Sequence, residues 1–341
     1  MNRLSRRTLL GAALGGGVAA ALAACSSGTG AQSQASGSAE SGGLVIGLTY
    51  TPNVQFAPFY MAMSDGSYAS GVSLRHHGEQ EGQFDALLAG TEHLVVAGGD
   101  EAVVARSNGN DLVIVGGYYQ RYPGCVIVPE SSDITGLADL KGRTIGTPGR
   151  TGETWYSLLV ALTTAGLSQD DVEIQDIGYT QQAALAGGKV DAVVGFSNND
   201  AVQLAQNGTP VRVLAIGEDV PLLGASLVTT AAVLAERRED LTAAVLASAQ
   251  GMATFVADPD AAVEATKAHV PDLADATQAA NAREVAVKTG ELVQPDDETV
   301  IGTVSREHVG ETIDFLAGQG LLGSSDVTSD EVCDPLLVVE A

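Results

Sequence analysis

Five short stretches hold the residues whose types and spacing suit the grasp of a small polar guest. They are Tyr50-Thr51-Pro52-Asn53-Val54-Gln55-Phe56, Gly98-Gly99-Asp100-Glu101, Gly116-Gly117-Tyr118-Tyr119-Gln120-Arg121-Tyr122, Thr147-Pro148-Gly149-Arg150-Thr151-Gly152-Glu153 and Ser197-Asn198-Asn199-Asp200. The amides of Asn53, Gln55, Asn198 and Asn199 each offer donors and an acceptor. The rings of Tyr50, Phe56 and Tyr118 offer faces for stacking. Asp100, Glu101, Glu153 and Asp200 offer carboxylates, and one at Glu101 can accept from an exocyclic amine or bond a protonated ring nitrogen. Several glycines, Gly152 among them, let backbone approach a guest closely. Plainer roles are open to each stretch. Thr151, Ser197 and Asn198 suit helix caps, and Asp100 and Glu101 suit the first turn of a helix, where the dipole favours acids.

What unites the stretches is the element before each of them. Leu44–Thr49, Leu94–Ala97, Leu112–Val115, Thr144–Gly146 and Asp191–Phe196 are short apolar runs that read as strands. Further strands are expected at Val72–His77, Val126–Val128, Val172–Ile177 and Val211–Ile216, with helical runs between them and an almost wholly helical tail after Ala231. Short apolar strands separated by helices predict parallel sheets covered on both faces. Two such series suggest two lobes, with the tail returning to the first and crossings near Cys125–Pro129 and Glu218–Val228. Lobe 1 is then 44–126 with 222–341, and lobe 2 is 127–221. Ligands of open α/β sheets sit beyond the carboxyl ends of the strands, so all five stretches would face one cleft.

The first residues require a separate account. Ser5-Arg6-Arg7-Thr8-Leu9-Leu10 resembles a twin-arginine export signal, and Leu22-Ala23-Ala24-Cys25 resembles a lipobox, in which Cys25 carries the lipid. The uncharged run Leu9–Ala24 is shorter than the ~20 residues a membrane span needs and is broken by glycine. Residues 1–24 are therefore expected to be a signal peptide and 25–43 a flexible Gly/Ser tether. The chain carries a net charge of −25, and loss of a leader with three Arg and no acid makes the remainder more acidic still. That excludes nucleic acid and an anionic lipid surface as partners. Membrane contact is left to the lipid on Cys25. Hydrophobic residues at 45% and charged residues at 17% describe a globular protein. Beyond Cys25 only Cys125 and Cys333 remain; they either pair, as an exported chain permits, or stay as two separate buried thiols. Scattered His76, His77, His93, His269 and His308 supply no metal spacing, and no metal or cofactor is expected.

The turn Tyr50-Thr51-Pro52-Asn53 with Phe59-Tyr60 after it carries a resemblance. So do the run Leu137-Ala138-Asp139-Leu140-Lys141-Gly142-Arg143-Thr144-Ile145-Gly146, the turn Pro148-Gly149 and the run Gly187-Gly188-Lys189-Val190-Asp191-Ala192-Val193. Over Leu44–Thr230 the chain resembles the periplasmic-binding-protein type II solute receptors of ABC importers. It is most similar to the branch that includes thiamine-pyrimidine-precursor binding proteins and thiamine pyrimidine synthases. The resemblance implies an α/β fold of two lobes, mixed sheets flanked by helices and a ligand cleft between them. It also implies that Asn53 and the neighbouring rings touch a small heteroaromatic ligand, and that a membrane permease is the partner. In the synthases an active-site His stands on the exit that here reads Gly99-Asp100-Glu101, and a cysteine-rich run stands where this chain has Leu222-Leu223-Gly224-Ala225-Ser226-Leu227. Both features are missing here, so an enzyme is the lesser expectation. The chain is expected to be a monomeric, lipid-anchored receptor outside the cytoplasm. Its ligand is a thiamine pyrimidine precursor, with riboflavin, a nucleobase or a sulfonate as alternatives.

Overall fold

The computed structural model describes residues 43–78, 81–324 and 326–338. The export signal, the lipobox with Cys25 and nearly all of the tether lie outside the described residues.

The strands run, in chain order, β1 (Val45–Leu48), β2 (Ser73–His76), β3 (Leu94–Gly98), β4 (Leu112–Gly117), β5 (Gly124–Pro129), β6 (Thr144–Thr147), β7 (Glu173–Asp176), β8 (Ala192–Phe196), β9 (Val211–Ala215) and β10 (Ala225–Thr230). They form two five-stranded sheets, ordered β2-β1-β3-β10-β4 and β7-β6-β8-β5-β9. β1 is parallel to β2 and β3, and β6 is parallel to β7 and β8. β10 runs antiparallel between β3 and β4, and β5 runs antiparallel between β8 and β9. The sheets are thus mixed, not parallel as the alternation of elements alone predicts. The reason lies in the crossings. A strand that loops back through a helix re-enters its sheet at the same end. β5 and β10 arrive from the other lobe and enter from the cleft side, so they run the opposite way.

The first crossing is 118–123, not Cys125–Pro129. Gly124–Ile127 is an intact, buried stretch of β5 paired with β8, so a lobe boundary after residue 126 falls inside a strand. The second crossing occupies 216–224, not Glu218–Val228: Ala225–Thr230 is β10, a strand the sequence reading does not mark because Gly224, Ser226, Thr229 and Thr230 dilute its apolar run.

Helices flank both sheets: α1 (Ala57–Ser64), α2 (Asp85–Leu88), α3 (Gly99–Ser107), α4 (Gly152–Thr164), α5 (Gln181–Ala186), α6 (Asp200–Gln206), α7 (Ala231–Ala257), α8 (Pro259–Lys267), α9 (Ala276–Val293), α10 (Arg306–Gly318) and α11 (Ser329–Val332). The C-terminal helices return to the first sheet, where α7 packs on α1 and Cys333 bridges to Ile114 of β4. α7 is long and apolar enough to cross a membrane, yet Leu241, Val245, Met252 and Phe255 bury one face of it in the core with Phe59 of α1. Burying an aromatic side chain such as Phe59 or Phe255 contributes about 1.5–3 kcal/mol. Gly251 permits the approach of the two helices, since a Cβ there would stand 2.2 Å from the Pro58 carbonyl oxygen.

Two connections fix the site. α3 starts on the residue after β3, with Gly98 as its cap, so Asp100 and Glu101 stand at the strand end. α4 begins at Gly152, whose φ of +77° is a left-handed conformation that favours glycine, and Glu153 follows at once.

Candidate functional site

Asp100, Glu101 and Glu153 converge from the two lobes on one point beside Gly98. A Cβ added to Gly98 would stand 2.7 Å from Glu101 Oε2, 3.1 Å from Asp100 Oδ1 and 3.3 Å from Glu153 Cδ. Glu101 reaches across to the other lobe, where a Cβ on Gly152 would stand 2.9 Å from its Oε1. Asp100 is wholly buried. Its Oδ1 accepts the Glu101 N–H at 2.7 Å, and its Oδ2 accepts the Tyr122 hydroxyl at 2.9 Å. The same hydroxyl lies 3.1 Å from the Glu153 carbonyl oxygen, tying the first crossing to both helix starts. Gln83 donates to Glu101 Oε2, and its own Oε1 accepts the Gly98 N–H at 3.2 Å. Glu153 Oε1 is shielded from solvent and has no hydrogen-bond partner.

Among the described residues no salt bridge reaches any of the three carboxyl groups. Burial, reinforced by Glu101, holds the Asp100 carboxyl well above the usual carboxylate range. Burial likewise raises Glu101, against the lowering effect of the Gln83 bond. Burial first, then Asp100 and Glu101, hold Glu153 well above that range. Buried like charges favour the neutral forms. Such a cluster either keeps protons or receives a guest that supplies donors and positive charge.

A second polar group adjoins the first through Tyr119. Gln55 Nε2 donates to its hydroxyl at 3.2 Å and Asn198 Nδ2 lies 3.3 Å from it. Asn198 Nδ2 also lies 3.0 Å from Thr289 Oγ1 of α9, while its Oδ1 is buried without a partner and the residue is 1% exposed. Burial pushes the Tyr119 hydroxyl up to about 12, and the nearby Glu153 charge adds to the rise. The turn after β1, the first crossing, the exit of β8 and α9 thus meet at one hydroxyl.

The other expected residues take different places. Asn53 holds its own turn: Oδ1 accepts the Gln55 N–H at 2.9 Å, and Nδ2 donates to the Thr51 carbonyl at 3.0 Å. It caps a short helical turn and presents Gln55. Tyr50 is exposed and is held by its backbone: its N–H donates to the Leu48 carbonyl at 2.8 Å, and its carbonyl lies 2.8 Å from His76 Nδ1. Phe56 is buried edge-on to His76, with centroids 5.4 Å apart. Tyr118 is buried in the first lobe, edge-on to Phe59 at 5.5 Å, with its hydroxyl on the Gln55 carbonyl. Thr151 is exposed and makes no capping bond. Ser197 donates its N–H to the Pro123 carbonyl at 2.9 Å. Asn199 accepts from Gln203 at 2.5 Å. Asp200 accepts the Phe196 N–H at 2.8 Å and so closes the start of α6. Trp155 is buried in the core, with Arg150 over its ring at 5.4 Å.

Cys125 and Cys333 are both free and buried. Cys125 sits in the second sheet and Cys333 against the first, so the pairing open from the sequence is not formed.

Gln83 and Thr289 carry no signal in the sequence. Neither follows a strand, and nothing local marks them. Tyr119 and Tyr122 are visible in the sequence only as parts of an aromatic run. Their functional signal is that run's position on a crossing, which reaches both lobes. Surface hollows of about 470 and 560 Å³ lie beside Leu159 and Gln319, and beside Pro271 and Gln278, away from the carboxyl cluster.

A family model described as NMT1/THI5 like matches residues 53–262. The riboflavin-binding protein RibY of Chloroflexus aurantiacus is 33% identical over 234 residues, which cover 67% of each chain. A formylaminopyrimidine-binding protein of Halalkalibacterium halodurans is 25% identical over 249 residues, covering 71% of this chain and 73% of that one. Among solved structures, the alkanesulfonate-binding protein SsuA of Xanthomonas axonopodis pv. citri, bound to MOPS, superposes with a TM-score of 0.67 at 20% identity, over 87% of this chain and 100% of the other. That likeness establishes the fold, which is the fold of periplasmic binding proteins. The match over residues 53–262, a stretch that includes Asp100, Glu101 and Glu153, shows that the chain belongs to the NMT1/THI5-like family.

Proposed function

We propose that this protein is the extracytoplasmic solute receptor of an ABC importer, and that its ligand is a small nitrogen heterocycle rich in N–H and O–H donors. The observation that carries the proposal is the convergence of Asp100, Glu101 and Glu153 beside Gly98, with Glu153 Oε1 unpartnered. Carboxylates are acceptors. Such a site opposes a sulfonate, the ligand type named for the SsuA neighbour, because three acids and an anion repel. An aminopyrimidine of the thiamine-precursor kind fits, with amino and ring-nitrogen groups toward the acids and a ring beside Tyr119.

A second candidate is riboflavin, favoured by the 33% identity with RibY. Its ribityl hydroxyls are donors as well. Both ligands suit the acceptors of the cleft, and both are disfavoured as substrates of chemistry here, since the exit Gly98-Gly99-Asp100-Glu101 carries no histidine. The work done is a population shift. The ligand contacts both lobes only when they are closed, so it stabilises the closed state. The closed receptor then meets a membrane permease, and a lipid on Cys25 keeps the monomer near it.

A thermal-shift panel tests the proposal, because a ligand that binds only the folded state adds RT ln(1 + [L]/Kd) to stability. An aminopyrimidine or riboflavin raises Tm in a dose-dependent way, and an alkanesulfonate does not. A rise with the sulfonate alone overturns it.

A further inference from the structure

Three acids packed together, with no cation beside them among the described residues, need something else to hold them. The basic side chain nearest in sequence, Arg150, is 3.5 Å from Asp176 and lies over Trp155. The titratable groups around the cluster are Tyr122 and Tyr119 of the first crossing and Tyr156 of α4, and all three hydroxyls are raised by burial. Gln83 is uncharged. Among the described residues, three buried side-chain polar atoms lack a partner: Glu153 Oε1, Asn198 Oδ1 and, elsewhere, His77 Nδ1. Two of these belong to this cleft. Both are acceptors on the second lobe, and Tyr119 stands between them, bonded to Asn198 and in the field of Glu153. Unmet acceptors at this density ask for a guest with several donors on one edge.

Resting on the receptor reading above, we propose that the ligand places a positively charged nitrogen group, an ammonium or a protonated ring nitrogen beside its amino group, among Asp100, Glu101 and Glu153. One cation satisfies the charge of the cluster and supplies its missing donors together. Asn198 Oδ1 reads a further donor on the same ligand. The absent Cβ at Gly98 leaves the three carboxyl groups facing one another with no side chain between them, so the nitrogen can reach all three.

A proton linkage follows. With the cleft closed and empty, burial and mutual repulsion keep protons on the acids. A cation favours the ionised carboxylates, so its binding releases protons. Affinity therefore rises as pH rises out of the ordinary carboxylate range, and levels off where the empty cluster is itself ionised.

Calorimetry on the purified protein tests this with a matched pair: an aminopyrimidine bearing an aminomethyl arm, which is an ammonium at neutral pH, and its hydroxymethyl counterpart. Riboflavin and a short alkyl diamine complete the panel. The ammonium compound binds at least about tenfold tighter than its hydroxymethyl partner. Its heat differs between buffers of different ionisation enthalpy in the sense of proton release. Glu153→Gln and, separately, Glu101→Gln bring the pair toward parity. Equal or tighter binding of the hydroxymethyl compound, or binding with no proton release, overturns the charge assignment and leaves the receptor reading standing. If no heterocycle binds, the heteroaromatic reading fails, and the diamine still decides the charge. A diamine that binds and loses affinity in Glu153→Gln supports the assignment, and one that does not bind sinks it.

Discussion

Glu92 and the cleft acids are both buried carboxylates of the same fold, and their surroundings differ in one respect. Glu92 is 0% exposed. Arg75 Nη1 lies 2.7 Å from its Oε1 and His77 Nε2 lies 3.0 Å from both oxygens. Arg75 also holds Glu81 with two bonds at 2.7 and 2.8 Å. Both Glu92 oxygens are held by groups of the fold, and the one buried atom of that network without a partner is His77 Nδ1, on the side away from the carboxylate. In the cluster of Asp100, Glu101 and Glu153, Asp100 is as deeply buried as Glu92, but among the described residues no cation reaches the cluster and Glu153 Oε1 is unpartnered. A buried acid whose partners come from the fold is architecture, and one whose partners are missing is a place for a ligand. The two glycines beside these acids repeat the contrast. A Cβ on Gly47 would stand 2.1 Å from Glu92 Oε2, and a Cβ on Gly98 would stand 2.7 Å from Glu101 Oε2.

The largest expected effect separates the two clusters outright. Arg75→Ala leaves Glu92 buried with His77 alone. Breaking a buried pair costs ~3–5 kcal/mol, and the low end applies because Arg75 is itself 41% exposed. Urea denaturation should show that loss, while calorimetry on the folded fraction shows unchanged affinity. Glu101→Gln should do the reverse. It removes a charge-assisted bond of ~1.5–3 kcal/mol, so affinity falls roughly 10- to 150-fold with no loss of unliganded stability. If Glu101→Gln instead lowers the unliganded Tm and spares affinity, Glu101 is a structural acid like Glu92.

The glycine pair sharpens the contrast at a smaller scale. Gly47→Ala drives a methyl into a carboxylate pinned from two sides and should cost ~1–3 kcal/mol. Gly98→Ala meets mainly the ends of side chains that can swing into the cleft. It should lower affinity about tenfold or more, as loss of a charge-assisted bond does, and change stability less than Gly47→Ala does. Equal destabilisation by both would mean that the cleft acids are as tightly fixed as Glu92.

Dependence on pH gives a finer distinction. Asp100, Glu101 and Glu153 have raised values in the fold. The folded state therefore holds more protons than the unfolded one between the ordinary carboxylate range and the raised values, and unliganded stability from these groups falls as pH rises through that window. Asp171, lowered to about 2 by bonds from Ser168, acts in the opposite sense, since its contribution is lost as pH falls. Comparing the wild type with an Asp100→Asn/Glu153→Gln double variant isolates the cleft: the wild type should lose stability relative to the variant as pH rises. A flat difference would show that these acids are not strained in the empty protein. The smallest effect belongs to Asn53→Ala. With both ends of its amide engaged in its own turn, it should cost about 1 kcal/mol of stability as a lost cap, and affect binding only through the placement of Gln55. A loss of affinity as large as that of Glu101→Gln would return Asn53 to direct ligand contact.

Much of this was legible in the sequence because strand ends and helix starts are local events. Short apolar runs broken by Gly, Pro and Asn marked the strands, and the acids at Gly98–Glu101 and Gly152–Glu153 stood where helices begin. The amide stretches are just as visible in the sequence, yet most of their groups close their own turns, as Asn53, Asn199 and Asp200 do. Capping and ligand binding use the same residue types, so composition does not tell them apart.

The sequence by itself determined all of the strands but β10, their alternation with helices and the set of polar groups at their ends, since periodicity and turn chemistry act over a few residues. Only the tertiary structure decided which of those groups meet. Asp100 and Glu153 are 53 positions apart and Asn198 and Thr289 are 91 apart. Their juxtaposition depends on where the chain crosses between lobes and on the reversed direction of β5 and β10, which follows from the side on which each enters its sheet. The same long-range placement gave Glu92 Arg75 and His77 and, among the described residues, left the cleft acids without a basic partner.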